Sequence, residues 1–169
     1  MSISNTAYNS IGRAQFDDNC WVTPDSVFQF ASDEWGAFDL DAAATSQNSK
    51  CDNWIDPQSD ALSPSAWAGR AVWLNPPYGR IMPRFIERAL KEVREGSVER
   101  VVCLIASRTD TRIFQNVIFP NASHIHFIKG RIKFSNGKKS GSANFPSCFV
   151  VFDKDNKGEG VKITYGAID

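Results

Sequence analysis

Apolar residues recur at two different spacings along this 169-residue chain, and each change of spacing marks an element. After Thr23, Pro24 and Asp25, the apolar positions Val27, Phe28 and Phe30 predict a short helix with Pro24 at its first turn. Phe38 and Leu40 then alternate with Asp39 and Asp41, as at the end of a strand, and three alanines follow that suit a tight helix or turn. Residues 45–67 are polar and rich in Asp, Ser and Pro, with Trp54, Ile55 and Leu62 as isolated anchors; short strands and loops are expected. The run AVWL (71–74) reads as a strand stopped by two prolines. Phe85, Ile86, Ala89, Leu90 and Val93 recur at helical spacing from Met82 to Glu95, with Gly96 at the cap. RVVCLIAS (100–107) is continuously apolar, the pattern of a strand buried on both faces. Residues 110–119 suit a helix capped by Asp110 and stopped by Pro120. SHIHFIKGRIKF and SCFVVF read as two further strands separated by a polar loop, 135–144. Strands alternating with helices and closing on an antiparallel pair predict an open α/β sheet. The first 17 residues are polar and aperiodic and are expected to form a flexible arm, leaving 18–169 as one compact domain.

Composition fits a globular protein, with 42% hydrophobic and 22% charged residues. Lys and Arg number 19 and Asp and Glu number 19, so the net charge is zero and a polyanionic partner looks disfavoured. Position reverses that inference. Residues 1–64 hold two basic and ten acidic side chains, whereas residues 65–150 hold fourteen basic and five acidic ones. The apolar runs are far short of the roughly 20 residues that span a bilayer, and a soluble, cytoplasmic protein with no membrane partner is expected. Cys20, Cys51, Cys103 and Cys148 are widely spaced and lack any CxxC pairing, so reduced thiols are expected and a metal site is not.

The peptide Asn75-Pro76-Pro77-Tyr78-Gly79 follows the AVWL strand directly. In a parallel α/β sheet, ligands sit beyond the carboxyl ends of the strands, which places this peptide in a site. Its residue types suit one chemical problem. An amino group conjugated to a π system is a poor nucleophile, because its lone pair is delocalised. An amide oxygen at Asn75 and a carbonyl at Pro76 can accept both of its protons and aim the lone pair at an electrophile. The prolines Pro76 and Pro77 fix those acceptors in advance, and Tyr78 offers a flat stacking face. The same five residue types also make an ordinary turn; their position between a buried strand and an amphipathic helix favours the chemical reading.

NPPYG after VWL resembles the (D/N/S)PP(Y/F) motif of S-adenosylmethionine-dependent amino methyltransferases. With WVTP, FDLDAAA, NSKC, DAL, LIASRTDT and FIKGRIKF in that order, residues 20–152 resemble the phage-type, Dam-like DNA adenine-N6 methyltransferases. The resemblance implies a Rossmann-like class I methyltransferase fold, a mostly parallel sheet with an antiparallel terminal strand, and S-adenosylmethionine as cofactor. It implies that Trp21, Thr23 and Pro24 close over the cofactor, that Asp39 and Asp41 face its aminoacyl or ribose groups, and that Asp60 takes its adenine amino group. Asn75, Pro76, Pro77 and Tyr78 carry the chemistry, and Phe134 stacks on the second face of a flipped adenine. FDLDAAA stands in for the Gly-rich FxGxG loop of larger methyltransferases.

The basic half supplies the counterpart. Lys129, Arg131, Lys133, Lys138 and Lys139 cluster without an acid, and Arg80, Arg84, Arg108 and Arg112 lie near predicted strand ends. Together they are expected to rim the site and hold DNA phosphates, with Arg108 also a candidate for base contact. The function expected is methyl transfer to adenine N6 in DNA, without a metal or a covalent enzyme intermediate, in a monomer or weak dimer. The alternatives are transfer to cytosine N4 or a protein glutamine, or a silent DNA-binding module of the same fold.

Overall fold

The computed structural model describes residues 22–65, 67–135, 140–156 and 158–168. The expected N-terminal arm, together with Cys20 and Trp21, lies outside the described residues. Helix α1 (Asp25–Trp35) precedes strand β1 (Leu40–Asp41), β2 (Ala71–Leu74), helix α2 (Met82–Arg94) and β3 (Arg100–Ala106). A π-helical turn (Phe114–Ile118) runs into the single turn α3 (Phe119–Asn121), followed by β4 (His124–Ile128), the hairpin β5 (Lys133–Ser135) and β6 (Ser140–Ser142), β7 (Ser147–Asp153) and β8 (Lys162–Gly166). Six strands form one sheet in the order β1-β2-β3-β7-β4-β8, and β7 alone of the six runs antiparallel to its neighbours. This is the expected mostly parallel α/β sheet.

Alternation along the strands builds a core on each face. Val101, Cys103 and Ile105 of β3 join Val72, Leu74, Val150 and Phe152 in a cluster with Phe85, Ile86, Ala89 and Val93 of α2. Val102 and Leu104 point the other way, into a cluster with Trp73, Phe149 and Val151 that includes Val27, Ala31 and Trp35 of α1. The continuous apolar run of β3 is thus explained by burial on both sides.

Four local expectations change. The antiparallel strand is internal, because β8 adds outside β4 in parallel register. SHIHFIKGRIKF is two strands, broken where Gly130 takes φ +88°. The helix after β3 starts beyond Asp110 and continues through Pro120 to Asn121, by way of the π-helical turn. Residues 45–67 contain turns and one isolated bridge, Asp41 to Trp54, but no strand among the described residues, while the alanines after Asp41 form a turn, one of the two alternatives expected.

Candidate active site

Parallel pairing brings the carboxyl ends of β1, β2, β3 and β4 to one edge of the sheet, and β7, running in reverse, begins there. Asn75, Pro76, Pro77 and Tyr78 leave this edge from β2. The side chain of Asn75 is held from below: its Nδ2 donates to Thr23 Oγ1 at 3.0 Å, and Thr23 is only 4% exposed. That bond decides which way the amide faces. Asn75 Oδ1 is left buried with no hydrogen-bond partner among the described residues. Buried acceptors are nearly always paired, so an oriented, vacant one marks a place where a donor is expected. Thr23, expected over the cofactor, makes this orienting contact to Asn75. Val22 bonds Ser135 of the hairpin, N to O, at 2.7 Å, which ties the segment carrying Thr23 and Pro24 to the site.

Tyr78 is half-buried, and its hydroxyl also lacks a partner among the described residues. Burial pushes the phenol above its ordinary pKa, so it stays protonated. The ring beside it is that of Phe145, with centroids 4.8 Å apart and planes tilted by 54°. Phe145 leads into β7, and Ser107 N–H donates to Pro146 O at 2.8 Å, docking that segment against the end of β3. Phe134, expected as the second stacking ring, is corrected: it is 5% exposed within the α1-side cluster and has no free face for a base. Sequence reasoning missed Phe145 because it falls between the polar loop 135–144 and the apolar run of β7; its position just before that run was the available signal.

The two aspartates of FDLDAAA part company. Asp41 is buried, and it accepts the backbone N–H of Lys50 at 3.0 Å and of Ala43 at 3.3 Å. Burial raises its pKa to about 6 against the opposing pull of these bonds and of the Lys50 charge. Its carboxylate therefore shapes the turn after β1. Asp39 stands at the opposite, amino edge, where Oδ2 accepts the N–H groups of Arg70 at 2.8 Å and Ala71 at 3.0 Å. It is corrected from a cofactor-facing residue to a pin between β1 and β2. Residues 53–55 run beside β1 in the same sense, so the turn that follows carries Asp60 toward the carboxyl edge. Asp60 has φ +53°, the single non-glycine with positive φ among the described residues. Its Oδ1 accepts Leu62 N–H at 3.0 Å.

Arg80, Arg84, Arg108, Lys129, Arg131 and Lys133 are all exposed, on segments that leave the carboxyl ends of β2, β3 and β4. Lys138 and Lys139 lie outside the described residues. Cys103 and Cys148 are buried free thiols, and burial pushes Cys148 up to about 12, so neither is a ready nucleophile. Among the described residues there is no group of three or more potential metal ligands, and no helix long and apolar enough to cross a membrane.

Comparison with known proteins decides the family. The sequence profile described as DNA N-6-adenine-methyltransferase (Dam) matches residues 13–168. The chain belongs to this Dam family. It is 30% identical over 153 residues to the DNA N-6-adenine-methyltransferase of Haemophilus phage HP1, covering 88% of this chain and 87% of that one. It is 28% identical over 95 residues to the DNA N-6-adenine-methyltransferase of Escherichia phage T1, covering 56% of this chain and 40% of that one. Among solved structures, a candidate RNA methyltransferase, PH1948 from Pyrococcus horikoshii, aligns with a TM-score of 0.48 at 13% identity over 89% of this chain and 82% of that one. As a Dam-family enzyme the chain methylates adenine N6 in DNA, which requires DNA as substrate and a methyl donor.

Proposed function

We propose that this Dam-family enzyme activates the adenine amino group with two acceptors, Asn75 Oδ1 and the Pro76 carbonyl, while Tyr78 and Phe145 hold the base. The observation that carries the reading is the buried Asn75 Oδ1, oriented through Thr23 and unpaired. Accepting the N6 protons returns lone-pair density to nitrogen and stabilises positive charge as the new bond forms; preorganised acceptors do this without reorganising. The two prolines keep the acceptors in place. An adenine in duplex DNA must leave the stack to reach them, and aromatic contact offsets part of that cost, about 1–3 kcal/mol per stacked base. The exposed cations at the same edge hold the flanking phosphates.

S-adenosylmethionine, when bound, supplies an electrophilic methyl group on a sulfonium. The residues present fit it at the carboxyl edge: Asp60, half-buried with Oδ2 free of hydrogen bonds among the described residues, is suited to an amino group. Asp41 supports that cradle through the turn it holds. The test is incubation of DNA with labelled donor, digestion to nucleosides and mass spectrometry. Label is expected on N6-methyladenine, and Asn75→Ala is expected to lose about 10²–10³ in kcat, the scale of one lost transition-state hydrogen bond, with donor affinity by calorimetry unchanged within about twofold. Near-normal turnover in that variant would remove the mechanism.

A further inference from the structure

Helix α2 buries two charges that the chemistry at Asn75 does not use. Arg88 and Glu92, one turn apart on the same face, have side chains 8% and 2% exposed, with Arg88 Nε 2.6 Å from Glu92 Oε1 in an ion pair that lacks hydrogen-bond geometry. Burying such a pair costs several kcal/mol per ion before attraction returns it, and packed apolar residues are often as stable or more so. Packing alone therefore does not account for it. The remaining polar atoms of the pair do: one terminal guanidinium nitrogen donates to Ser63 O, the other to Ser65 O at 2.5 Å, and Glu92 Oε2 accepts Trp67 N–H at 3.0 Å. The Trp67 indole closes the set by donating to Ala61 O at 3.0 Å, beneath the guanidinium carbon 5.9 Å from its ring centre. A turn-rich segment with no strand partner thus has four of its backbone polar groups satisfied through one ion pair and one indole. The residue next to this segment is Asp60, held at φ +53°. Such a conformation is disfavoured for a non-glycine residue and persists where its surroundings over-determine it.

We propose that the Arg88–Glu92 pair is a positioning clamp for donor binding: it fixes the backbone at Ser63, Ser65 and Trp67 and so holds Asp60 in the conformation that receives the methyl donor. The inference rests on Asp60 being a donor contact, as proposed above. Arg88 and Glu92 touch neither substrate, and their effect passes through the loop. Arg88→Lys keeps the positive charge but cannot reach two carbonyls at once. It is expected to weaken S-adenosylmethionine binding and raise its KM about tenfold, the scale of one or two lost hydrogen bonds. The kcat at saturating donor and the KM for DNA should stay within about twofold. Glu92→Gln retains an acceptor for Trp67 N–H and is expected to fall between wild type and Arg88→Lys, which gives a second, milder variant should Arg88→Lys fail to fold. Asp60→Ala completes a double-mutant cycle. With the clamp acting through Asp60, either clamp variant combined with Asp60→Ala binds donor no more weakly than Asp60→Ala alone. Additive losses, or lower thermal stability with unchanged donor affinity beside an affected Asp60→Ala, overturn the clamp and leave Asp60 as a donor contact. Unchanged donor affinity in Asp60→Ala itself overturns the reading of Asp60, and the clamp falls with it.

Discussion

The two ends of the same sheet treat their polar groups in opposite ways. At the amino edge they are committed to one another: Asp39 pins two backbone N–H groups, Glu99 lies 3.0 Å from Arg70 and 2.8 Å from Lys154, and Arg100 meets both Asp153 and the carbonyl of Trp35 at 2.5 Å. The two cations hold Glu99 down to about 2. At the carboxyl edge, Asn75 Oδ1 and Tyr78 Oη are buried without partners, and none of Arg80, Arg84, Arg108, Lys129, Arg131 or Lys133 forms an ion pair among the described residues. Charge content alone does not separate the ends, since both carry Arg and Lys. What separates them is whether bonding capacity is already satisfied within the chain. Edge position in a parallel sheet decides where a ligand can enter, and the unsatisfied polar atoms support the proposal that this edge receives one.

The sharpest way to break this contrast is to remove one group from each end. Loss of the Asn75 side-chain amide should act on turnover, as predicted above, with little change in stability. Asp39→Ala should do the reverse. It deletes the acceptor of two backbone hydrogen bonds and is expected to cost about 1–2 kcal/mol in urea unfolding, with kcat and both KM values within about twofold. A large kcat loss in Asp39→Ala would mean that the amino edge is coupled to the chemistry and the contrast is false.

A second prediction concerns Asp41, the carboxylate that links the edges by holding the turn after β1. Its folded pKa, about 6, lies above the ordinary 3.8, so between these values the folded chain binds the proton that the unfolded chain has released. Its contribution to unfolding free energy therefore falls as pH rises from about 4 to about 6 and is level above that, a change of about 2–3 kcal/mol. Other groups titrate in the same window, so the measurement is the difference between wild type and Asp41→Asn. That difference should shift in favour of the variant by this amount across the window. A pH-independent difference would show that Asp41 is not carrying a buried charge.

Much of the site was legible because its chemistry sits in consecutive residues. Asn75 to Gly79 after an apolar strand specify the place of the proposed acceptors in the fold, and the burial of β3 on both faces follows from its unbroken apolar run. What failed was whatever depends on where a side chain points after tertiary packing. Asp39 and Asp41 look equivalent in sequence, yet the two-residue strand β1 leaves one at the amino edge and buries the other. Phe134 and Phe145 flank the same polar loop; hairpin pairing turns the first into the core and leaves the second beside Tyr78. The clamp was invisible for a similar reason, because Arg88 and Glu92 read as an ordinary surface pair at helical spacing until α2 is docked. β8 had a signal, the alternation of Ile163 and Tyr165, but both side chains are exposed, at 53% and 85%, so the usual apolar-inside rule gave no reason to expect it.

The smallest effects should come from the cations at the carboxyl edge, and they test the contrast most directly. Phosphate contacts release counterions, so each one contributes about 0.9 to the slope of log affinity against log salt. Replacing Lys129, Arg131 and Lys133 together by Ala should lower that slope by about 2–3 if all three reach the backbone, and each single replacement by about 1 or less. Single variants should weaken DNA binding only severalfold at moderate salt while leaving donor affinity intact. The matched control is Lys154→Ala at the amino edge, also a lysine, but one whose charge Glu99 already faces at 2.8 Å. It should leave the salt slope unchanged. Equal slopes for the triple variant and wild type would place DNA elsewhere on the molecule, and a slope altered by Lys154→Ala would show that the satisfied end also meets the polyanion.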